Sequence, residues 1–421
     1  MSPMPNPTTI DAPRSERRVH VIGAGPVGLI MTAMLQSMEG FSIRLYEKRP
    51  AYTRARMVKL ASYLTADSIS AYSADEIDGD SVSAIFEPSE LEKGLNFRRS
   101  IAPRLFALLQ GWNQGFCRLK DIEESLTALI SEGGKSPVER IQSALTVEQA
   151  MAMLQPHEIM IDCTGANSLL RDHLVPPTAN ESDSRERNTY KIRLEYAANV
   201  TFLWGRPYLC NEYCKYYKNR DNAQYKFIPA VGRIAQDADT THVLGIINIS
   251  AEDYEAMPSH CSGDHLREHF PAVAASMDRF IQQIQLETQG EILGEIDVIR
   301  IPLNLYHARN FTARPWHPAF WDGNEDGWNH PFSKASVFLV GDSAIGSPYF
   351  QSISLGFECA MFLADLLGQQ MIMSDVYDRY EILMYKQWLR VYMRSKIIKH
   401  NKDIFERLDD TFGVLERLHI Y

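Results

Sequence analysis

The sequence predicts an α/β protein: a Rossmann-type domain on a parallel sheet, a second β-sheet domain inserted into it, and a helical region at the C-terminus. Three observations predict this. Residues 17–47 read as strand, glycine turn, helix and strand. From about residue 190 to 250 the chain switches to short β-rich runs. Far downstream, the apolar run Val337 to Val340 ends in Gly341-Asp342 ahead of another helical pattern.

A chain of 421 residues exceeds one small core and predicts two or three packed units. Its hydrophobic content of 45% and charged content of 23% are ordinary for a soluble protein. No apolar run approaches the ~18 residues that a bilayer span needs. The opening MSPMPNPTTIDAPRSE lacks the apolar centre of a secretory signal, so a mobile tail over 1–16 and a cytoplasmic location are expected. A net charge of −10 without a long basic block argues against nucleic acid as a partner. Of the six cysteines only Cys210 and Cys214 are close, as C-x3-C without a second pair, so no metal centre is expected.

Arg18 to Ile22 is a short apolar strand, Leu29 to Met38 a helix and Phe41 to Tyr46 the next strand, which makes a βαβ unit. The runs NVTFLWG, YKFIPAVGRI and HVLGIINIS, bounded by turn residues, predict the second sheet. Residues 263–284 read as helical and IDVIRIPLNLY as a strand, before the aromatic loop HPAFWDGNEDGWNHPF. LGFECAMFLADLLGQQM and most of 375–419 read as helices. These changes divide the chain into a tail (1–16), a first part of the nucleotide-binding domain (17–187), a β-rich substrate domain (188–305), the returning part (306–372) and C-terminal helices (373–421).

Gly23, Gly25 and Gly28 stand in G-x-G-x-x-G register between the first strand and helix. The glycines allow a tight turn, backbone approach to a pyrophosphate and close helix packing, and the helix start offers N–H groups to the phosphates. Glu47, 19 residues after Gly28, ends the next strand, where a carboxylate accepts the hydroxyls of an adenosine ribose and repels a 2′-phosphate. The plainer reading is a glycine turn in an ordinary α/β unit. The pattern does not separate NAD from FAD.

The late Gly341-Asp342 bears on that choice. FAD carries a ribityl chain and a ring system that returning chain must hold. A strand ending in Gly-Asp before a helix places a carboxylate near a ribityl hydroxyl and helix N–H dipoles near the ring.

Here the sequence resembles the class A flavoprotein monooxygenases of the para-hydroxybenzoate hydroxylase fold, with the kynurenine 3-monooxygenase and MICAL branches nearest. GAGPVGLIMTAML with YEKR, TRARMVKLA, CRLKDIEESLTALI, and the pair IMIDCTGANSLLR and VFLVGDSAIGSPYFQSISLGFECA carry the likeness from residue 18 to about 367. It implies FAD held by Gly23, Gly25, Gly28, Glu47, Lys48, Arg56, Arg118, Gly341 and Asp342, with Pro348, Tyr349 and Phe350 beside the ring. It also implies NADPH or NADH as reductant and a flavin hydroperoxide that hydroxylates a small aromatic, amino-acid-like or natural-product substrate with O2. Thr164 stands where the family has Asp, and the loop after Asp342 lacks the usual His and Gly-Gln-Gly turn.

Substrate candidates are Tyr213, Tyr217 and Lys59, with Tyr216, Tyr225, Lys215, Trp316, Trp321 and Trp328 behind them. For the aromatics ordinary packing is the simpler reading, and for the lysines a solvated surface. His20 reads as a packed histidine, and His307 beside Arg309 as a surface pair. No Ser-His-Asp order, paired-carboxylate motif or H-E-x-x-H competes for the chemistry. Two other readings stay open. One is a flavoenzyme of this fold doing dehydrogenation, oxidative rearrangement or halogenation, the last without the W-x-W-x-I-P run. The other is a non-enzymatic binding protein on the same scaffold. The oligomeric state is not legible.

Overall fold

The computed structural model describes residues 16–52, 57–61, 64, 102–112, 116–174, 188–207, 225, 227–232, 239–314, 335–347, 352–369 and 372–417. Strand β1 (Arg17–Ile22), helix α1 (Pro26–Gln36) and β2 (Phe41–Glu47) form the expected βαβ unit. The helix begins three residues earlier than its apolar pattern, because Pro26 supplies the preset φ of a first helical position. β3 (Met57–Lys59), α2 (Pro103–Trp112), β4 (Phe116–Arg118), α3 (Leu119–Ser131), β5 (Val138–Gln142), α4 (Val147–Met153) and β6 (Ile159–Asp162) follow.

The second sheet consists of β7 (Thr189–Trp204), β8 (Phe227–Gly232), β9 (Thr241–Ile249), β10 (His260–Ser262) and β11 (Ile292–Ala308). Between its strands lie α5 (Ala251–Ala256), α6 (Gly263–His269) and α7 (Pro271–Thr288). The helical stretch expected over 263–284 is built as two helices, since Pro271 cannot donate to the ladder and Phe270 leaves helical geometry at φ −131° and ψ 58°. Val200, Phe202, Trp204, Val243, Ile247 and Val298 pack beneath α7 in a core of their own.

The chain then returns through β12 (Thr312–Ala313), β13 (Ser336–Leu339) and the two-residue β14 (Ile345–Gly346) to α8 (Ser352–Gly368) and α9 (Met373–Arg417). One helix of 45 residues stands where several were expected, its sequence holding no proline to break it.

The first sheet runs β12-β13-β6-β1-β2-β5, parallel throughout except for β12. β1 lies at its centre, with β2 and β5 on one side and β6 and β13 on the other. Strand order thus reverses between β1 and β6, and the crevice at the carboxyl ends there is where open α/β sheets bind ligands. The second sheet is antiparallel, in the order β10-β11-β7-β9-β8, and β14 joins it by pairing with β11. Gly341 and Asp342 thus occupy the short span between β13 in one sheet and β14 in the other. Among the described residues no helix is long and apolar enough to cross a membrane.

Candidate functional site

At the end of β1 the chain turns through Gly23 with φ +95°, and a Cβ there would lie 2.8 Å from the Cys163 carbonyl oxygen. Gly28 packs the first turn of α1 onto the same loop, where a Cβ would fall 1.9 Å from the Gly23 oxygen. Gly25 is the N-cap and offers no side-chain cap. The first intrahelical bond comes from the Leu29 N–H to the Gly25 oxygen at 2.9 Å, so the N–H groups of Val27 and Gly28 have no acceptor within the helix.

β2 delivers Glu47 to the same end of the sheet. Arg49 forks onto it: its backbone N–H and Nε donate to Oε1 at 2.9 and 3.0 Å, and Nη2 donates to Oε2 at 3.0 Å. Nη2 also lies 3.7 Å from the buried carboxylate of Glu123. Burial works to raise the Glu47 pKa, but the Arg49 bonds outweigh it and hold the carboxyl below its ordinary value. The sequence reading gave Glu47 a carboxylate that repels a 2′-phosphate, and the structure sets the Arg49 guanidinium against that carboxylate. Oε1 accepts two of these bonds and Oε2 one, so it is Oε2 that retains a lone pair for a hydroxyl.

Asp162, at the end of β6, is fully buried and accepts five hydrogen bonds. Its Oδ1 takes the Thr164 N–H at 2.8 Å, the Thr164 hydroxyl at 2.6 Å and the Ser343 hydroxyl at 3.2 Å. Oδ2 takes the Ser168 hydroxyl at 2.6 Å and the Leu170 N–H at 2.9 Å. Thr164 therefore serves as a hydroxyl partner to a carboxylate two residues away.

The late motif completes the crevice. Residues Gly341–Ser343 form one tight helical turn, and the next helix begins only at Ser352. Ile345 and Gly346 then pair with β11, a contact without a local sequence signal, and the helix read in LGFECAMFLADLLGQQM is α8. Tyr306 of β11 donates its hydroxyl to the Asp342 carbonyl oxygen at 2.8 Å, and the Arg171 guanidinium lies 5.1 Å over the Tyr306 ring. Arg171 also donates to the Ala166 oxygen at 3.0 Å and the Ser343 oxygen at 3.4 Å.

Together these segments enclose a cavity of about 510 Å³, lined among others by Gly25, Val27, Glu47, Thr164, Asp342 and Ile353. Gly23 and Lys48 also line it, while Gly28 and Gly341 shape its wall from behind. The carboxyl ends of neighbouring strands in one sheet thereby bring early and late chain together.

No family model matches the chain and no curated protein matches it. Solved structures do. The Diels-Alderase PyrE3 from the biosynthetic pathway of pyrroindomycins aligns at TM-score 0.51 and 14% identity, over 95% of this chain and 78% of that one. The tetracycline destructase Tet(51) aligns at TM-score 0.47 and 12% identity, over 96% and 98%. HpxO of Klebsiella pneumoniae, complexed with FAD and uric acid, aligns at TM-score 0.47 and 13% identity, over 94% of each chain. The PyrE3 likeness concerns the fold.

Arg118 is half-buried outside the cavity lining, with Nη2 3.2 Å from His242 Nε2 in the second sheet, while its neighbour Leu119 does line the cavity. The Lys59 backbone pairs with Phe116 in the β3–β4 ribbon. Arg56, Pro348, Tyr349, Phe350, Tyr213 and Tyr217 lie outside the described residues, as do Tyr216, Lys215, Cys210, Cys214, Trp316, Trp321 and Trp328. Tyr225 packs in the second-sheet core and hydrogen-bonds Asp253, the packing reading.

His20 is buried between the Tyr46 hydroxyl and Glu158, each at 3.1 Å. A carboxylate only accepts, so Nε2 carries the proton toward Glu158, and Nδ1 of the neutral ring accepts from Tyr46. His307 is not a surface residue: it is half-buried among Tyr190, Phe311 and Trp388, and burial lowers its pKa.

Sequence reasoning assigned no role to Asp162, Arg171, Ser343, Arg49 or Tyr306. The first four stand inside the quoted motifs, but Tyr306 had no local signal because only the β11–β14 pairing brings it to Asp342.

Proposed function

We propose that the chain is an FAD-dependent monooxygenase, using NADPH or NADH and O2 to hydroxylate a small aromatic, amino-acid-like or natural-product molecule in the cytoplasm. The observation that carries this reading is that the early glycine turn, Glu47 and the late Asp342 line one cavity. A nicotinamide cofactor's adenosine half needs only the first two; the third has a use when a longer dinucleotide lies across the crevice.

The donor set fits such a group. The Val27 and Gly28 N–H groups, at the positive end of α1, would hold the pyrophosphate. Glu47 would accept an adenosine ribose hydroxyl and Asp342 a ribityl hydroxyl. The missing side chains at Gly23 and Gly28 keep that approach open. Bound there, FAD supplies hydride acceptance and activation of O2. The chain's own work is positional. Tyr306 and Arg171 fix the carbonyls of Asp342 and Ser343, and the Asp162 bonds lock the turn opposite. Arg56, Arg118, Lys48 and the Pro348–Phe350 segment belong to the same proposed site, with Tyr213, Tyr217 and Lys59 on its substrate side.

The test is direct. The purified protein should carry FAD, and a substrate panel should stimulate NAD(P)H oxidation with a product heavier by one oxygen. Colourless protein that takes up no added FAD would sink the reading. A second reading, a flavin-scaffold catalyst without net oxygenation, draws on the PyrE3 fold and on Thr164 in place of an acid. It predicts a product isomeric with its substrate.

A further inference from the structure

Two side chains, Arg49 and Tyr52, join the glycine turn to Glu47. Tyr52, half-buried against the main core, donates its hydroxyl to the Ala24 carbonyl oxygen at 3.0 Å, inside that turn. The Arg49 guanidinium carbon lies 5.4 Å from the centre of the Tyr52 ring. Arg49 in turn forks onto Glu47 and reaches Glu123 of α3. Contacts therefore run without a break from Ala24 through Tyr52 and Arg49 to Glu47, that is, from the turn that faces a pyrophosphate to the carboxylate that faces a ribose. At their base the Gly23 N–H donates to the Tyr46 oxygen at 2.8 Å and ties the same two segments.

A solvated surface ion pair has a different form. Here the Glu47 side chain is 12% exposed and Glu123 is fully buried, and Arg49 meets Glu47 through two side-chain nitrogens and its own backbone N–H. Forked, charge-assisted pairs of this kind fix geometry as well as charge. One orientation of the Glu47 carboxylate satisfies all three bonds, and the lone pair it leaves on Oε2 is the one a ribose hydroxyl would use.

We infer that Arg49 and Tyr52 are positioning residues for a dinucleotide: the pair braces Glu47 against the glycine turn, so that the pyrophosphate donors and the ribose acceptor are set relative to each other before a ligand arrives. This rests on the FAD reading and adds how the adenosine end is held. Preorganisation raises affinity by removing the cost of ordering the site from the binding step. Packing alone would need neither a hydroxyl at residue 52 nor a fork at residue 49.

The full chain, freed of any bound flavin, is titrated with FAD and with ADP-ribose, ligands that share the adenosine, pyrophosphate and ribose. Arg49→Ala should weaken both by about tenfold or more. That factor should grow as pH falls from neutral toward the carboxylate range, because Glu47 loses the bonds that hold its pKa down while burial still raises it. Arg49→Lys should restore the flat pH profile without the full affinity, since an ammonium supplies the charge and not the fork. Tyr52→Phe keeps the ring and loses the hydroxyl, and should weaken both ligands about three- to tenfold. In the variant carrying Arg49→Ala and Tyr52→Phe the combined loss should be smaller than the product of the two, because each breaks the same brace. Wild-type affinity in Tyr52→Phe overturns the inference, as do losses that multiply fully or a pH profile that Arg49→Ala leaves unchanged. If Arg49→Ala fails to fold, Arg49→Lys and Tyr52→Phe, singly and together, give the same comparison of losses. A wild-type chain that binds neither ligand sinks the FAD reading and the brace with it, whereas wild-type binding that both substitutions leave intact sinks the brace alone.

Discussion

The Ser343 hydroxyl donates to the Asp162 carboxylate at 3.2 Å, joining residues 181 positions apart, and accepts the Gly165 N–H at 3.1 Å. One side chain thus couples the turn after β6 to the turn after β13. Ser343→Ala leaves the Gly165 N–H without that acceptor and removes one donor from a buried carboxylate, a loss of about 1–3 kcal/mol. Urea unfolding should show the midpoint falling, with flavin retention falling alongside. An unchanged midpoint would mean that the two turns are held independently.

Thr164 donates to Asp162 at 2.6 Å, so an acid cannot replace it without cost. Thr164→Asp sets two carboxylates at hydrogen-bonding distance, and like charges there resist joint ionisation. Stability should drop by roughly 2 kcal/mol or more at neutral pH and recover partly on acidification, whereas Thr164→Ser should be close to wild type. Calorimetry of both variants at two pH values checks this.

Asp342→Ala should weaken flavin retention on the order of tenfold, the loss of one charge-assisted hydrogen bond, while the second sheet stays folded. Flavin release on dilution and far-ultraviolet circular dichroism give the two readouts. Full FAD occupancy in the variant would assign Asp342 to structure alone.

Acid should destabilise the protein in two stages. Burial lowers the His20 pKa below 6.5, only partly offset by Glu158, so the unfolded chain binds a proton that the folded one refuses. Stability therefore declines as pH falls through about 6.5. For Glu158, burial acts upward, but the Gln155 N–H, His20 and Arg18 prevail and hold its pKa below 4.5. Its contribution is present above that value and is lost as pH falls through the lowered one. Unfolding midpoints against pH should show the upper stage disappear in His20→Gln.

Much of the first sheet is legible in the sequence because its signals are local. The glycine turn and the apolar strand β1 announce themselves within about twenty residues. Errors fell where a distant partner overrode the local pattern. Ile345 and Gly346, where no strand is read in the sequence, pair with His307 and Tyr306. Arg49 follows Glu47 by two residues, but only the folded turn shows its guanidinium wrapped back on that carboxylate.

By itself the sequence determined that a nucleotide-type βαβ unit opens the described chain and that a strand ending in Gly-Asp comes late in it, since periodicity and turn chemistry belong to short windows. Tertiary structure alone decided that the two are neighbours. Parallel strands take their partners through crossover connections, so β13 reaches β1 by way of β6, and no short window contains that pairing.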